Sequence, residues 1–93
     1  MTDVDRFTAE KILTEASKLI TEVRANEYGD SFRMTAEMWS SYLGVQISVE
    51  DFCIMMALMK VARAKCGKKI KDNFVDGVGY LGLAGSAAIK EEK

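Results

Sequence analysis

Asp72-Asn73-Phe74-Val75-Asp76-Gly77-Val78-Gly79-Tyr80-Leu81-Gly82 contains a literal GxGxxG, Gly77 to Gly82, directly behind two aspartates four residues apart. A dinucleotide-binding fingerprint turns from a β-strand into a helix within a βαβ unit. Here the preceding residues, Lys68 to Asp76, are mostly polar or charged and read as a loop and a helix start. Phe74, Val78 and Leu81 recur at helical spacing, so the stretch is expected to be a helix that carries glycines. Each interior glycine costs about 1 kcal/mol relative to alanine, a penalty that close backbone packing can offset. Gly79, Gly82 and Ser86 fall along one side and form a candidate small-residue packing face, within the chain or between copies.

Upstream lies an apolar run, Phe52 to Ala62, interrupted only by Lys60. Ser48 and Asp51 have capping-box spacing, and Ile47 and Phe52 are placed to staple the helix start. A helix apolar nearly all round is expected to be the central buried element, with Gly67 as its stop. Further back, Phe32, Ala36, Trp39 and Leu43 mark the buried stripe of another helix, ended by Gly44 in a left-handed conformation. The first helix shows Ile12, Leu13, Ala16, Leu19, Ile20 and Val23 on one face and Lys11, Glu15, Lys18 and Glu22 on the other. Thr8 is the expected N-cap, with Phe7 and Ile12 as its staple.

The expected architecture is therefore all-α: one compact domain over residues 1–93. Its four helices run at about 8–26, 31–43, 49–66 and 72–90, with a central apolar helix and a glycine-rich C-terminal helix.

Composition excludes several functions. Histidine is absent, which removes Ser-His-Asp and Cys-His catalysis and histidine-containing zinc sites. Any metal would be a hard, oxygen-liganded ion such as magnesium. A net charge of −1 gives no general case for nucleic acid or membrane surfaces. The longest apolar run is too short to span a bilayer, and the start of the chain lacks a signal-peptide pattern. Cys53 and Cys66 are too few for a disulfide framework, and a cytoplasmic location is expected.

The candidate site lies between the last two helices, read as an antiparallel hairpin. At 1.5 Å rise per residue, Lys60 and Arg63 fall at about the depth of Asp72 and Asp76. One reading makes Asp72 the helix N-cap, Asp76 a dipole-complementing acid, and Lys60 or Arg63 their salt-bridge partners. The other reading is a ligand site. There Lys60 and Arg63 contact phosphate, Asp72 and Asp76 hold Mg²⁺, and Tyr80 lines the pocket. Arg24, Tyr28 and Asp30 form a second polar corner, structural or ligand-facing.

The order Arg24-x-x-x-Tyr28-Gly29-Asp30, Trp39-x-x-Tyr42-Leu43-Gly44, Ser48-x-x-Asp51, Lys60-x-x-Arg63, Asp72-x-x-x-Asp76-Gly77-x-Gly79-Tyr80 resembles a family of small proteins encoded by phages and prophages. More distantly, Tyr28-Gly29-Asp30, Lys60-x-x-Arg63 and Asp72-x-x-x-Asp76 with Tyr80 look like elements of MazG-like nucleotide pyrophosphohydrolases. That resemblance implies a helical, usually oligomeric protein whose acids hold Mg²⁺ against nucleotide phosphates. Those hydrolases also carry an EExxE-type cluster, and this chain has none, so binding is expected in preference to hydrolysis. The functional alternatives are nucleotide or phosphate-ligand binding, and a non-enzymatic homo-oligomer that engages a host protein or sequesters a host-defence signal.

Overall fold

The computed structural model describes residues 3–23, 30–67 and 69–89, and all of the regular structure among them is helical. Helix α1 (Arg6–Lys18) runs on into a single wider, π-type turn at Leu19–Val23. It is followed by α2 (Asp30–Leu43), α3 (Val49–Lys65) and α4 (Lys71–Ile89). The expected all-α, four-helix architecture is borne out.

Helix ends follow local chemistry. Asp5, not Thr8, caps α1: its Oδ1 accepts from the Phe7 amide at 3.0 Å, and Thr8 Oγ1 donates to its Oδ2 at 3.0 Å. Moving the cap three residues back places Phe7 in the first turn, 78% exposed, so it does not staple the helix. At α3 the capping box is complete: Ser48 Oγ accepts from the Asp51 amide and Asp51 Oδ2 from the Ser48 amide, each at 3.0 Å. Gly44 and Gly67 end α2 and α3 with φ of +75° and +107°, where a side chain would be strained. Ser40 sews the α2–α3 corner together. Its hydroxyl accepts from the Ile47 amide at 2.8 Å and donates to the Ala36 carbonyl at 2.7 Å.

The core centres on Phe52. Its ring lies 4.7 Å from Phe32, 5.2 Å from Trp39 and 6.3 Å from Tyr80, distances at which tilted and edge-on aromatic pairs attract. Cys53, Ala36 and Ala84 complete the buried set, and Ile47 packs against it in the place expected of a staple residue. The α3–α4 hairpin is the most extensive contact in the molecule; α1 packs on α4, and α2 on α3. Gly77 lies against Lys60 in the hairpin: a Cβ there would stand 3.7 Å from that of Lys60, an ordinary van der Waals contact.

Two expectations are overturned. Leu43, expected in the α2 stripe, is 53% exposed, since α2 meets α3 only through its earlier turns. More consequentially, α3 is not buried all round. Phe52, Cys53, Ala57 and Ala64 are buried, while Ile54, Met55, Leu58, Met59 and Val61 on its other side are exposed. The other helices cover only about half of its circumference. The chain exposes 7055 Å², against the roughly 5,400 Å² typical of a folded monomer of this mass. Its radius of gyration is 14.6 Å, where about 12 Å is usual for the length.

Because Phe52 joins α2, α3 and α4, truncating it should be the most damaging single core change. Phe52→Ala is expected to cost about 3–5 kcal/mol of unfolding free energy, read as a lowered midpoint in urea. A loss below about 1 kcal/mol would show that the aromatic cluster does not organise the fold.

Candidate functional site

The proposed convergence of four charged residues resolves into two separate pairs. Lys60 Nζ meets Asp76 Oδ2 at 3.1 Å, with both side chains mostly covered. Arg63 turns instead to Asn73, whose Oδ1 accepts from Nε at 3.2 Å. Asp72 lies exposed in the first turn of α4, and among the described residues it closes on neither cation. It is not the N-cap, because α4 already begins at Lys71. The two aspartates are a full turn apart, and only the later one faces α3.

Asn73 is the polar residue that sequence reasoning missed. It is 3% exposed, the buried polar side chain among the described residues. Its signal was present: Asn73, Asp76 and Tyr80 share a face at helical spacing, and that face turns out to be the one against α3. Tyr80 belongs to the aromatic cluster, 6.1 Å from Phe32 and 6.3 Å from Phe52, and so helps to form the core. Arg24 and Tyr28 lie outside the described residues. Asp30, their expected companion, pairs locally with Arg33 at 3.1 Å.

The small-residue side of α4 looks towards α1. Gly79 is buried, and a Cβ at Gly82 would stand 3.9 Å from Ile20 Cδ1 in the π-type turn; Ser86 is exposed. Alongside, Lys71 Nζ donates to Glu15 Oε2 at 2.7 Å, tying the start of α4 to α1.

On the opposite side, α3 and α4 form an open groove of about 360 Å³. Its floor is Ala57, Val61, Ala64, Phe74, Val78 and Leu81, and Lys60, Lys65 and Lys69 also line it. Lys69 is partly engaged, its Nζ donating to the Ala64 carbonyl at 3.0 Å and so satisfying the C-terminal end of α3. The groove continues onto the bare side of α3, where Leu58 is 61% exposed, and along α4, where Leu81 is 58% exposed. This is the chemically distinctive surface of the molecule: apolar across its middle, cationic at one end. No three acidic or thiol side chains cluster as metal donors among the described residues. No helix among them is long and apolar enough to cross a membrane.

The thiols differ sharply. Cys53 is fully buried, and burial pushes its pKa from 9.0 up to about 11; Cys66 is exposed.

A family model described as "Domain of unknown function (DUF6378)" matches residues 11–88. The Gene 55 protein of Mycobacterium phage L5 is 35% identical over 86 residues, covering 88% of this chain and 55% of that protein. The Gene 55 protein of Mycobacterium phage D29 is 40% identical over 77 residues, covering 80% of this chain and 51% of that protein. The chain thus spans about half the length of the curated relatives it matches. Both are phage proteins, in keeping with the first resemblance drawn from the motif order. No solved structure matches the chain.

Asp76→Ala leaves the Lys60 ammonium half-buried without its carboxylate and should cost about 1–3 kcal/mol. Lys60→Met combined with Asp76→Leu should recover most of that loss, as denaturant titration would show; a double variant as unstable as the single would refute a merely structural pair. For the thiols, a disulfide-exchange reagent at pH 8 should label Cys66 rapidly and Cys53 only on unfolding. The folded Cys53 keeps its proton where the unfolded chain loses it, so its contribution is whole below pH 9.0 and is lost as pH climbs towards about 11. Lys71, raised by its hydrogen bond to Glu15 and then by that residue's charge, acts in the same direction. Melting temperature should therefore fall across this alkaline window, and less steeply in Cys53→Ala.

Proposed function

The chain belongs to the DUF6378 family, and from its surface geometry we propose that it is a non-enzymatic helical interaction protein that works as an oligomer. One observation carries this reading: the apolar side of the α3–α4 hairpin is left bare. Monomeric soluble proteins rarely expose a contiguous apolar patch beyond a few hundred Å². Here Ile54, Leu58 and Val61 on α3 join Phe74, Val78 and Leu81 on α4, with no charge among these six. The phage origin of the two relatives supports a host-directed role: binding a host protein or sequestering a small host-defence signal.

A second reading is supported by the lysines along the groove. A nucleotide could lay its base on Phe74 and Val78 and its phosphates on Lys65 and Lys69, the residues nearest the open cationic end. The MazG-like part of the resemblance belongs here. Magnesium would arrive with the ligand's phosphates, as that ion commonly does. Asp72 would hold it, joined by Asp76 only if Lys60 let go. The residues present do not by themselves make a resident metal site.

Light scattering separates the two readings when combined with a nucleotide screen. The first expects a mass of at least twice 10.3 kDa at micromolar concentration, and no nucleotide that raises the melting temperature. A monomer stabilised several degrees by a nucleotide with Mg²⁺ would replace it with the second.

A further inference from the structure

The order of residues along the bare side of α3 says what covers it. Read along that exposed side, the helix runs Asp51, Ile54, Leu58, Val61, Lys65: an acid, three apolar residues spaced four and three apart, and a base. Asp51 and Lys65 are equidistant from Leu58, about 10 Å to either side at 1.5 Å per residue. A surface that is acidic at one end, basic at the other and apolar between is complementary to itself when turned end over end. The helix dipole reinforces that choice, because antiparallel helices set opposite partial charges side by side.

We propose that the α3–α4 hairpin docks on a second copy of this chain across a twofold axis passing beside Leu58, forming an intermolecular four-helix bundle. The proposal rests on the oligomeric reading above and supplies its geometry. Antiparallel pairing about Leu58 sets Leu58 on Leu58 of the second copy, Ile54 opposite Ala62, and Asp51 opposite Lys65. Asp51 has an oxygen for that contact: Oδ2 is taken by the Ser48 amide in the capping box, and Oδ1 remains. Four-and-three spacing of apolar residues is the pattern of helices that cross at about 20° in bundles.

Helix α4 independently shows the same preparation. Phe74, Val78, Leu81, Gly85 and Ile89 follow each other at intervals of four, three, four and four along its exposed side. The hairpin register, fixed by Lys60 with Asp76 and by Gly77 against Lys60, places residues 78 and 79 level with Leu58. The same axis then seats Phe74 of one copy between Leu81 and Gly85 of the other, about 3 Å along the helix from each, a large side chain beside a residue with none. A Cβ at Gly85 would meet nothing within 4 Å inside its own chain. Nothing in the monomer requires a glycine there, while the absence of a side chain makes room for a phenylalanine seated beside it from the second copy.

The test uses the full chain and three variants. Leu58→Cys in a Cys66→Ser background should form a disulfide-linked dimer under mild oxidation, whereas Ile89→Cys in the same background, far from the axis, should not. Gly85→Leu should lower the dimer's association constant at least tenfold while its circular dichroism stays helical, because the added side chain has open space within the chain and a collision only across the axis. A dimeric mass together with the Leu58 cross-link and the Gly85 effect supports the proposal. A dimeric mass with no Leu58 cross-link, or with Gly85→Leu undiminished in association, overturns this geometry and leaves the oligomeric reading standing. A chain that stays monomeric at 100-fold the working concentration overturns both.

Discussion

The structure depends on a mismatch between α3 and its surroundings. From Phe52 to Ala62, α3 is apolar save for Lys60, yet the rest of the chain covers only about half of its circumference. The covered half makes the fold. Phe52 draws in Phe32 and Trp39 from α2 and Tyr80 from α4, and the small residues Ala36, Ala57 and Ala64 are buried between the helices. The uncovered half is what the fold offers to something else. Hydrophobic burial scales with area and does not distinguish the source of the covering surface, so a helix of this composition organises a monomer and an interface at once.

The charged residues are sorted by that division. On the covered side, every polar group has a partner nearby: Lys60 has Asp76, and Arg63 has Asn73. These pairs fix the register of the hairpin, since a slip of α4 by one residue would separate Lys60 from Asp76. On the uncovered side the charges stand at the two ends of α3, and the middle is free of them. Charge position thus separates the residues that hold the hairpin together from those that orient its face.

Much of this was legible from residue order. Helix number, the left-handed stops at Gly44 and Gly67 and the Ser48–Asp51 box follow from local chemistry that acts over a few residues, and a carboxylate partner for Lys60 follows from the depth of the two helices in the hairpin. The failures have physical causes. At the start of α1, Asp5 and Thr8 are both competent caps, and the hydroxyl gave way to a carboxylate that binds an amide and the threonine together. Asn73 was overlooked because a single amide carries no charge to notice, although it occupies the same face as Asp76. The half-bare state of α3 could not be read at all: hydropathy reports that a side chain prefers burial, not which chain will bury it. Asp72 and Asp76, so conspicuous in sequence, part company because only Asp76 lies level with Lys60, while Asp72 stands exposed a turn nearer the loop.

Helix α1 has a different standing from the rest. The α2–α3 corner, closed by Ser40, and the α3–α4 hairpin both join neighbours in sequence, so their contacts form after short loops have closed. Helix α1 packs mainly on α4, and its ion pair between Glu15 and Lys71 spans 56 residues. Rates of folding fall as contacting residues lie further apart along the chain. The aromatic cluster around Phe52 can therefore assemble before α1 arrives, and α1 can depart without dismantling it. In native-state hydrogen exchange, α1 would open as its own unit, ahead of the other three helices.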